Sequence, residues 1–142
     1  MDTTEIRRVV RERAAAVAAK DAKAMVAHNA PDLIEYNLAP PLRQPSAGDD
    51  VAPVEKWLAT FEGPMSMEVH DLEVTADGSV AFCTSLNRLT ATPLGQPESF
   101  SLWFRATLGL RKVDGRWLVV HEHESVPFEM DGSLRASVSL QP

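Results

Sequence analysis

Cysteine is nearly absent from this chain: Cys83 is the single one in 142 residues. One thiol makes neither an internal disulfide nor a cysteine-rich zinc cage, so a stapled scaffold is excluded. Tyrosine is equally scarce, with Tyr36 alone. No apolar run approaches the ~20 residues of a membrane-spanning helix. Positive charge is the minority, with 14 Lys and Arg against 20 Asp and Glu and a net charge of −6. Such a chain grips phosphate backbones and anionic lipid poorly, so neither a nucleic-acid nor a membrane partner is expected. The few glycines mark turns, and no Gly-rich phosphate loop or dinucleotide fingerprint occurs. No cofactor is expected. The start, Met1-Asp2-Thr3-Thr4-Glu5, is acidic and has no apolar stretch to serve as a signal core. A cytoplasmic location is therefore the expectation.

The composition itself is that of a globular domain, 44% hydrophobic and 24% charged. The length suits one domain over residues 1–142, with a core at about 3–128 and a peripheral tail over 129–142. Ile6, Val9, Val10, Ala14 and Val17 recur at helical spacing, and Asp2 with Glu5 has the spacing of a capping box. Asp21 is placed to cap a second helix running to about His28, which Ala30-Pro31-Asp32 should end. Leu33 to Leu38 reads as a short strand, stopped by Ala39-Pro40-Pro41. A long polar loop follows over 39–50, and its closing over a site is left open. Asp50 is placed to cap a third helix with Val54, Trp57, Leu58 and Phe61 on its apolar face. From Gly63 the pattern changes to four long strands, Met65–Ala76, Val80–Thr92, Ser99–Val113 and Arg116–Phe128. Asp77-Gly78 and Asp114-Gly115 are hairpin signals between them. Helices grouped before strands predict an α+β fold, with three N-terminal helices packed on a curved antiparallel sheet. The space between the two layers is the default small-molecule site.

Several phrases carry a resemblance: Tyr36-Asn37-Leu38-Ala39-Pro40-Pro41-Leu42, Ser85-Leu86-Asn87-Arg88-Leu89, Trp103-Phe104-Arg105-Ala106-Thr107, and Gly115-Arg116-Trp117 leading into His121-Glu122-His123-Glu124-Ser125-Val126-Pro127. With the element order, they resemble the nuclear transport factor 2-like superfamily, cone-shaped α+β proteins. The likeness is greatest to its SnoaL-like and ketosteroid isomerase-like branches. It spans about residues 3 to 128. The resemblance implies a ligand cavity, and isomerase or cyclase chemistry by proton transfer beside a carbonyl on an apolar ligand. Ketosteroid isomerases place a catalytic aspartate where Asn37 stands here, and they take an oxyanion-holding tyrosine from the first helix, which has none in this chain. An amide cannot accept a proton as a carboxylate does, which argues against steroid isomerisation by that layout. Glu35 shares a strand face with Asn37 and stays open as a substitute base.

On the last strand, Trp117, Val119, His121, His123 and Ser125 alternate on one face, and Glu122 and Glu124 fall on the other. The tryptophan and valine suggest that the histidine face looks inward and the glutamates face solvent or a partner. His121 or His123 would then move the proton. Arg105 and Asn87 would hold the developing oxyanion. Tyr36, Trp57 and Trp103 would shape the apolar walls, with Asn37 and Ser125 completing the ligand contacts. Arg105 has an equal alternative as an ion pair with Glu122 or Glu124. A buried Cys83 is expected to be inert, and no metal site is expected because His121 and His123 lack a third ligand. The partner expected is a small apolar, carbonyl-bearing molecule, in a homodimer. An alternative of another class is a non-catalytic dimeric binding or accessory module. In both, Phe104, Leu108, Leu110, Leu118, Val120 and Val126 would form an apolar patch on the outer sheet face.

Overall fold

The computed structural model describes residues 2–142. Helix α1 covers Asp2–Ala18 and α2 covers Ala22–Val26. Strand β1, Asn29–Tyr36, precedes helix α3, Ala52–Leu58. Strands β2 (Phe61–Asp77), β3 (Val80–Pro93), β4 (Phe100–Val113) and β5 (Arg116–Ser125) complete one five-stranded sheet in the order β1-β5-β4-β3-β2. The architecture is the α+β one read from the sequence. Its sheet, however, is mixed. Strands β2 to β5 form an antiparallel meander, and β1 pairs parallel with β5.

Local chemistry explains most boundaries. Asp21 caps α2 by accepting from the Ala24 amide at 3.0 Å. Asp50 accepts from the Ala52 amide at 3.0 Å at the start of α3. Asp114 and Gly115 take φ of 51° and 80°. Both positive angles are what a two-residue hairpin with matching twist requires. Asp2 departs from its expected capping role. Its carboxylate instead accepts from Lys112 Nζ at 3.1 Å and Trp117 Nε1 at 3.2 Å.

Helix α2 ends two residues before His28, and β1 begins at Asn29 and runs through Pro31. A proline is tolerated because β1 is an edge strand, where one row of amides needs no ladder partner. The 39–50 loop folds back over that edge. Gln44 N donates to Glu35 O at 3.0 Å, and Gly48 N to Pro31 O at 3.1 Å. Tail residues 127–137 fold back as well, with Ser137 N donating to Pro127 O at 2.7 Å and Ser137 buried.

The core lies between α1 and the sheet. Ile6, Val9 and Val10 pack on Ala81, Cys83, Leu108, Leu110, Trp117 and Val119. A second cluster joins Val17 to Met65, Leu89, Ala91, Phe104 and Ala106. Burying a large aliphatic side chain contributes roughly 1.5–3 kcal/mol. Phe104, Leu108 and Leu110 are therefore core and not the outer patch the sequence suggested, at 3%, 6% and 1% exposure. Val126 likewise packs on the inner side. Of the expected patch, Leu118 and Val120 are half-buried. No helix among the described residues is long and apolar enough to cross a membrane.

Candidate functional site

One extra residue in β5 decides which side chains face the helices. Leu110 pairs with Val119, but the next residue back, Gly109, pairs with His121. Val120 is the bulged residue. A bulge of one residue reverses the alternation beyond it, because the side-chain period of a strand is two. Trp117 and Val119 point inward before the bulge. Beyond it, Glu122 aligns with the inward Leu108 and Glu124 with Ala106, while His121 and His123 align with Gly109 and Thr107 on the outer face. Gly109 fits the bulge closely, since a Cβ there would meet His121 Cβ at 3.3 Å.

The histidine face read as inward is thus the outer one, and the glutamates read as outward line the interior. Tyr36 joins the histidines by parallel pairing with His123, its ring 5.1 Å from that of His121 and 5.6 Å from that of His123. The His121 Nδ1 donates to Ile34 O at 2.7 Å. Arg105 Nε donates to Ser125 Oγ at 3.2 Å, also outside, and pairs with neither glutamate. Trp103 stacks outside too, between His70 and Arg88. Six of the residues expected at the site therefore gather on the outer face: Tyr36, Trp103, Arg105, His121, His123 and Ser125.

Asn37, Asn87 and Trp57 stand on the inner side. Asn37 continues β1 with the same facing as Glu35. Asn87 pairs across the ladder with the inward Phe104, and its Oδ1 accepts from Ser85 Oγ at 2.8 Å, leaving its N–H groups free to donate. Trp57 packs edge-on to Phe61 with centroids 5.1 Å apart. It belongs with Met25, Leu58, Phe100 and Leu102 to an apolar, half-buried rim.

The inner face holds a carboxylate cluster. Glu35 aligns with Glu122 in the β1–β5 pair, and Glu124 follows two residues on. Arg13 reaches them from α1, its Nη1 donating to Glu122 Oε2 at 3.0 Å and its Nη2 to Asn29 Oδ1 at 3.2 Å. Arg13 Nε is buried with no partner among the described residues. Burial pushes the Glu122 carboxyl up, but the Arg13 charge and hydrogen bond more than offset this and hold it below the usual range. Glu122 is therefore the ionised member. Burial, then the Glu122 charge, push Glu124 well up, so it stays a neutral acid. Glu35 is pushed up to about 7, by burial first and then by repulsion from Glu122, against the opposing pull of Arg13 and Asn37. Burial also raises the Cys83 thiol to about 11, which keeps it protonated and unreactive.

One buried ion pair, one neutral acid and one carboxyl titrating near neutral pH make an acid–base constellation. A group poised near 7 both accepts and returns a proton. Arg13 was readable in the sequence. It lies three, four and seven residues from Val10, Val9 and Ile6, a charge placed within the apolar stripe of α1. The bulge was not, because no glycine or proline marks Val120.

Two surface clefts have none of these carboxylates in their linings. One of about 760 Å³ opens between α2, the start of β1 and α3, with Lys23, Glu55 and Arg116 at its edge. Another of about 370 Å³ lies under the 43–47 segment. On the sheet's inner face, Glu35, Asn37, Ser85, Asn87 and Glu124 are half-buried.

The profile of the SnoaL-like domain matches residues 6–129. A solved nuclear transport factor 2-like protein of unknown function from Pseudomonas putida KT2440 is 31% identical over 98% of this chain and 95% of its own, with a TM-score of 0.85. A protein from Novosphingobium aromaticivorans DSM 12444, provisionally named a scytalone dehydratase, shares the fold at 15% identity over 99% and 94%, with a TM-score of 0.78. Another from Novosphingobium aromaticivorans, provisionally named an aromatic ring hydroxylase, covers 85% of each chain at 13% identity and a TM-score of 0.70. No protein with a curated description matches the chain. By the extent of the family match and the 31% identity over almost the whole chain, this protein belongs to the SnoaL-like family of the nuclear transport factor 2-like superfamily.

Proposed function

We propose that this protein moves a proton next to a carbonyl on an apolar small molecule, as an isomerase or cyclase, with Glu35 as its general base. The observation that carries this reading is the inner cluster: Glu35 beside Glu122, with the Arg13 hydrogen bond going to Glu122. Glu35 takes the proton as carboxylate and returns it as acid. Negative charge grows on the ligand oxygen as Glu35 takes the proton and is lost when the proton returns to carbon. The neutral Glu124 carboxyl and the Asn87 amide are the donors on the same face, and preorganised donors of this kind hold such an oxyanion. The half-buried rim of Trp57, Phe61 and Phe100 would take the ligand's apolar part.

Exchange of α-protons for deuterium tests this without a known substrate. A panel of apolar cyclic ketones, including a β,γ-unsaturated one, is incubated with protein in D₂O and followed by proton NMR. Exchange above buffer by the native protein, lost in Glu35→Gln, supports the reading. Exchange that survives Glu35→Gln overturns it. The outward histidines provide the control. His121→Ala and His123→Ala are each expected to change turnover or ligand affinity less than about threefold, whereas loss of a general base costs ~10²–10⁴-fold. A collapse of turnover in His123→Ala would place the chemistry on the outer face.

We also propose a homodimer formed through the outer sheet face. Its apolar content is Phe82, 52% exposed, with Leu86, Trp103, Leu118 and Tyr36, interleaved with Arg88 and Glu68. Isologous pairing would cover these groups in the commonest closed assembly. Light scattering at micromolar concentration should give twice 15.6 kDa. A monomer mass would reject this assembly, and with it the non-catalytic dimeric module.

A further inference from the structure

The 39–50 loop is joined to the carboxylate cluster by a chain of direct contacts. At its far end Gly48 sits against β1 so closely that a Cβ would lie 2.3 Å from Ala30 O and 2.5 Å from Leu33 Cβ. Its amide donates to Pro31 O at 3.1 Å. Its carbonyl accepts from Asn29 Nδ2 at 3.0 Å. The other end of the Asn29 amide, Oδ1, accepts from Arg13 Nη2 at 3.2 Å. Arg13 Nη1 then donates to Glu122 Oε2 at 3.0 Å, and Glu122 stands opposite Glu35. Asn29 and Glu122 are buried, at 9% and 8% exposure. A second tie runs directly from the loop to the same residue, Gln44 N to Glu35 O at 3.0 Å.

Asn29 therefore joins two things. Its donor goes to the loop and its acceptor to the buried arginine. A residue needed only to fill the start of a strand would not require an amide with both halves engaged. Asparagine is among the few side chains that donate and accept from one rigid plane.

We propose that Asn29 is a positioning residue for the acid–base site: it ties the 39–50 loop, through Gly48, to the Arg13–Glu122 ion pair that faces Glu35, so that the seating of the loop is transmitted to that carboxylate. This rests on the reading of Glu35 given above. The groups acting on Glu35 are Glu122 and Glu124 from β5, Arg13 from α1 and Asn37 just past the end of β1, with His121 acting on Glu122 from the outer face. With the loop unseated, Asn29 no longer fixes the Arg13 guanidinium, whose charge pulls the Glu35 titration down. Water also reaches the cluster from the β1 edge. Hydration relieves the burial that is the largest cause of the raised Glu35 titration, so Glu35 should titrate lower.

A double-mutant cycle reads this directly. Carbon-13 NMR of the Glu35 carboxyl is followed against pH in the native protein, Gly48→Ala, Asn29→Ala and the double variant. Each single variant is expected to lower the Glu35 midpoint by about 0.5 unit or more, with the double variant no lower than Asn29→Ala. Folded single variants with an unmoved midpoint overturn the proposal, as do additive shifts, which would mean the loop acts without Asn29. Should Gly48→Ala fail to fold, the native protein supplies the second test, because coupling between two sites is reciprocal. Hydrogen exchange at the Gly48 amide, corrected for its intrinsic pH dependence, should lose at least about threefold protection as pH rises through the Glu35 step. A flat profile overturns the coupling. The acid–base reading fails separately, if Glu35 of the native protein titrates in the ordinary carboxylate range.

Discussion

Glu35→Gln should make this protein more stable above pH 7 while removing the proposed proton transfer. The native state holds the Glu35 proton up to about pH 7, against an ordinary value of 4.5. Between those values the folded protein binds a proton that the unfolded chain has released. Stability therefore falls as pH rises from about 4.5 to about 7, and the loss is constant above that. Each unit of displacement is worth ~1.4 kcal/mol, which sets an upper figure of about 3.5 kcal/mol; solvent screening of this half-buried carboxyl brings the penalty at pH 8 to roughly 2–3 kcal/mol. Glutamine is the same size and does not titrate. Its variant should match the native protein at pH 4 and exceed it at pH 8, by roughly 5–10 °C in Tm. Urea denaturation across that pH range checks the sign. A variant less stable than the native protein at pH 8 would mean that Glu35 is held as a stabilising carboxylate and not as a poised one. Gain of stability with loss of function is the expected mark of a residue kept for chemistry.

Arg13→Met has the opposite effect and should be the most damaging single change. It removes the cation placed among three inward carboxyls and leaves Glu122 buried and unpaired. Breaking a buried ion pair from one side costs about 3–5 kcal/mol. The cost is pH-dependent because Glu122 escapes it by taking a proton. Its native value is held down by Arg13. Without the arginine, burial raises it above that of the unfolded chain, and stability is lost as pH rises through the ordinary carboxylate range. The deficit should be near its full size at pH 8, about 10 °C or more in Tm, and shrink towards pH 4. A deficit independent of pH would show that Arg13 contributes packing by its aliphatic stem alone. Replacing both partners, Arg13→Met with Glu122→Leu, should recover much of the loss, since no charge is then stranded.

The sequence made the elements legible because their signals are local. The helical spacing of Ile6, Val9, Val10 and Val17, the Asp21 cap and the two Asp-Gly turns each act within a few residues, and each appears in the fold. The parallel pairing of β1 with β5 was not legible, because it joins segments some 90 residues apart and nothing in Asn29–Tyr36 states its partner. Pro31 masked the strand's true start, since a proline reads as a break unless the strand is known to be an edge. The site suffered from a smaller event. Alternation along Arg116–Ser125 is sound on either side of Val120, and one bulged residue exchanges the faces beyond it. His121 and His123 were thereby assigned the positions that Glu122 and Glu124 occupy. Asn37, Asn87 and Trp57, read from the sequence as ligand contacts, do stand on the inner side. Glu35 stood out in the sequence through its shared face with Asn37, but its charged surroundings come from α1 and β5 and belong to the tertiary fold.

The central claim is that Glu35 is a proton carrier set to work near neutral pH, and one titration tests it. The Glu35 carboxyl carbon, assigned by its disappearance in Glu35→Gln, is followed by NMR from pH 3 to 9 in the native protein. The account predicts a midpoint at about 7 for Glu35. A midpoint near 4.5, the value of an ordinary solvated glutamate, would contradict it.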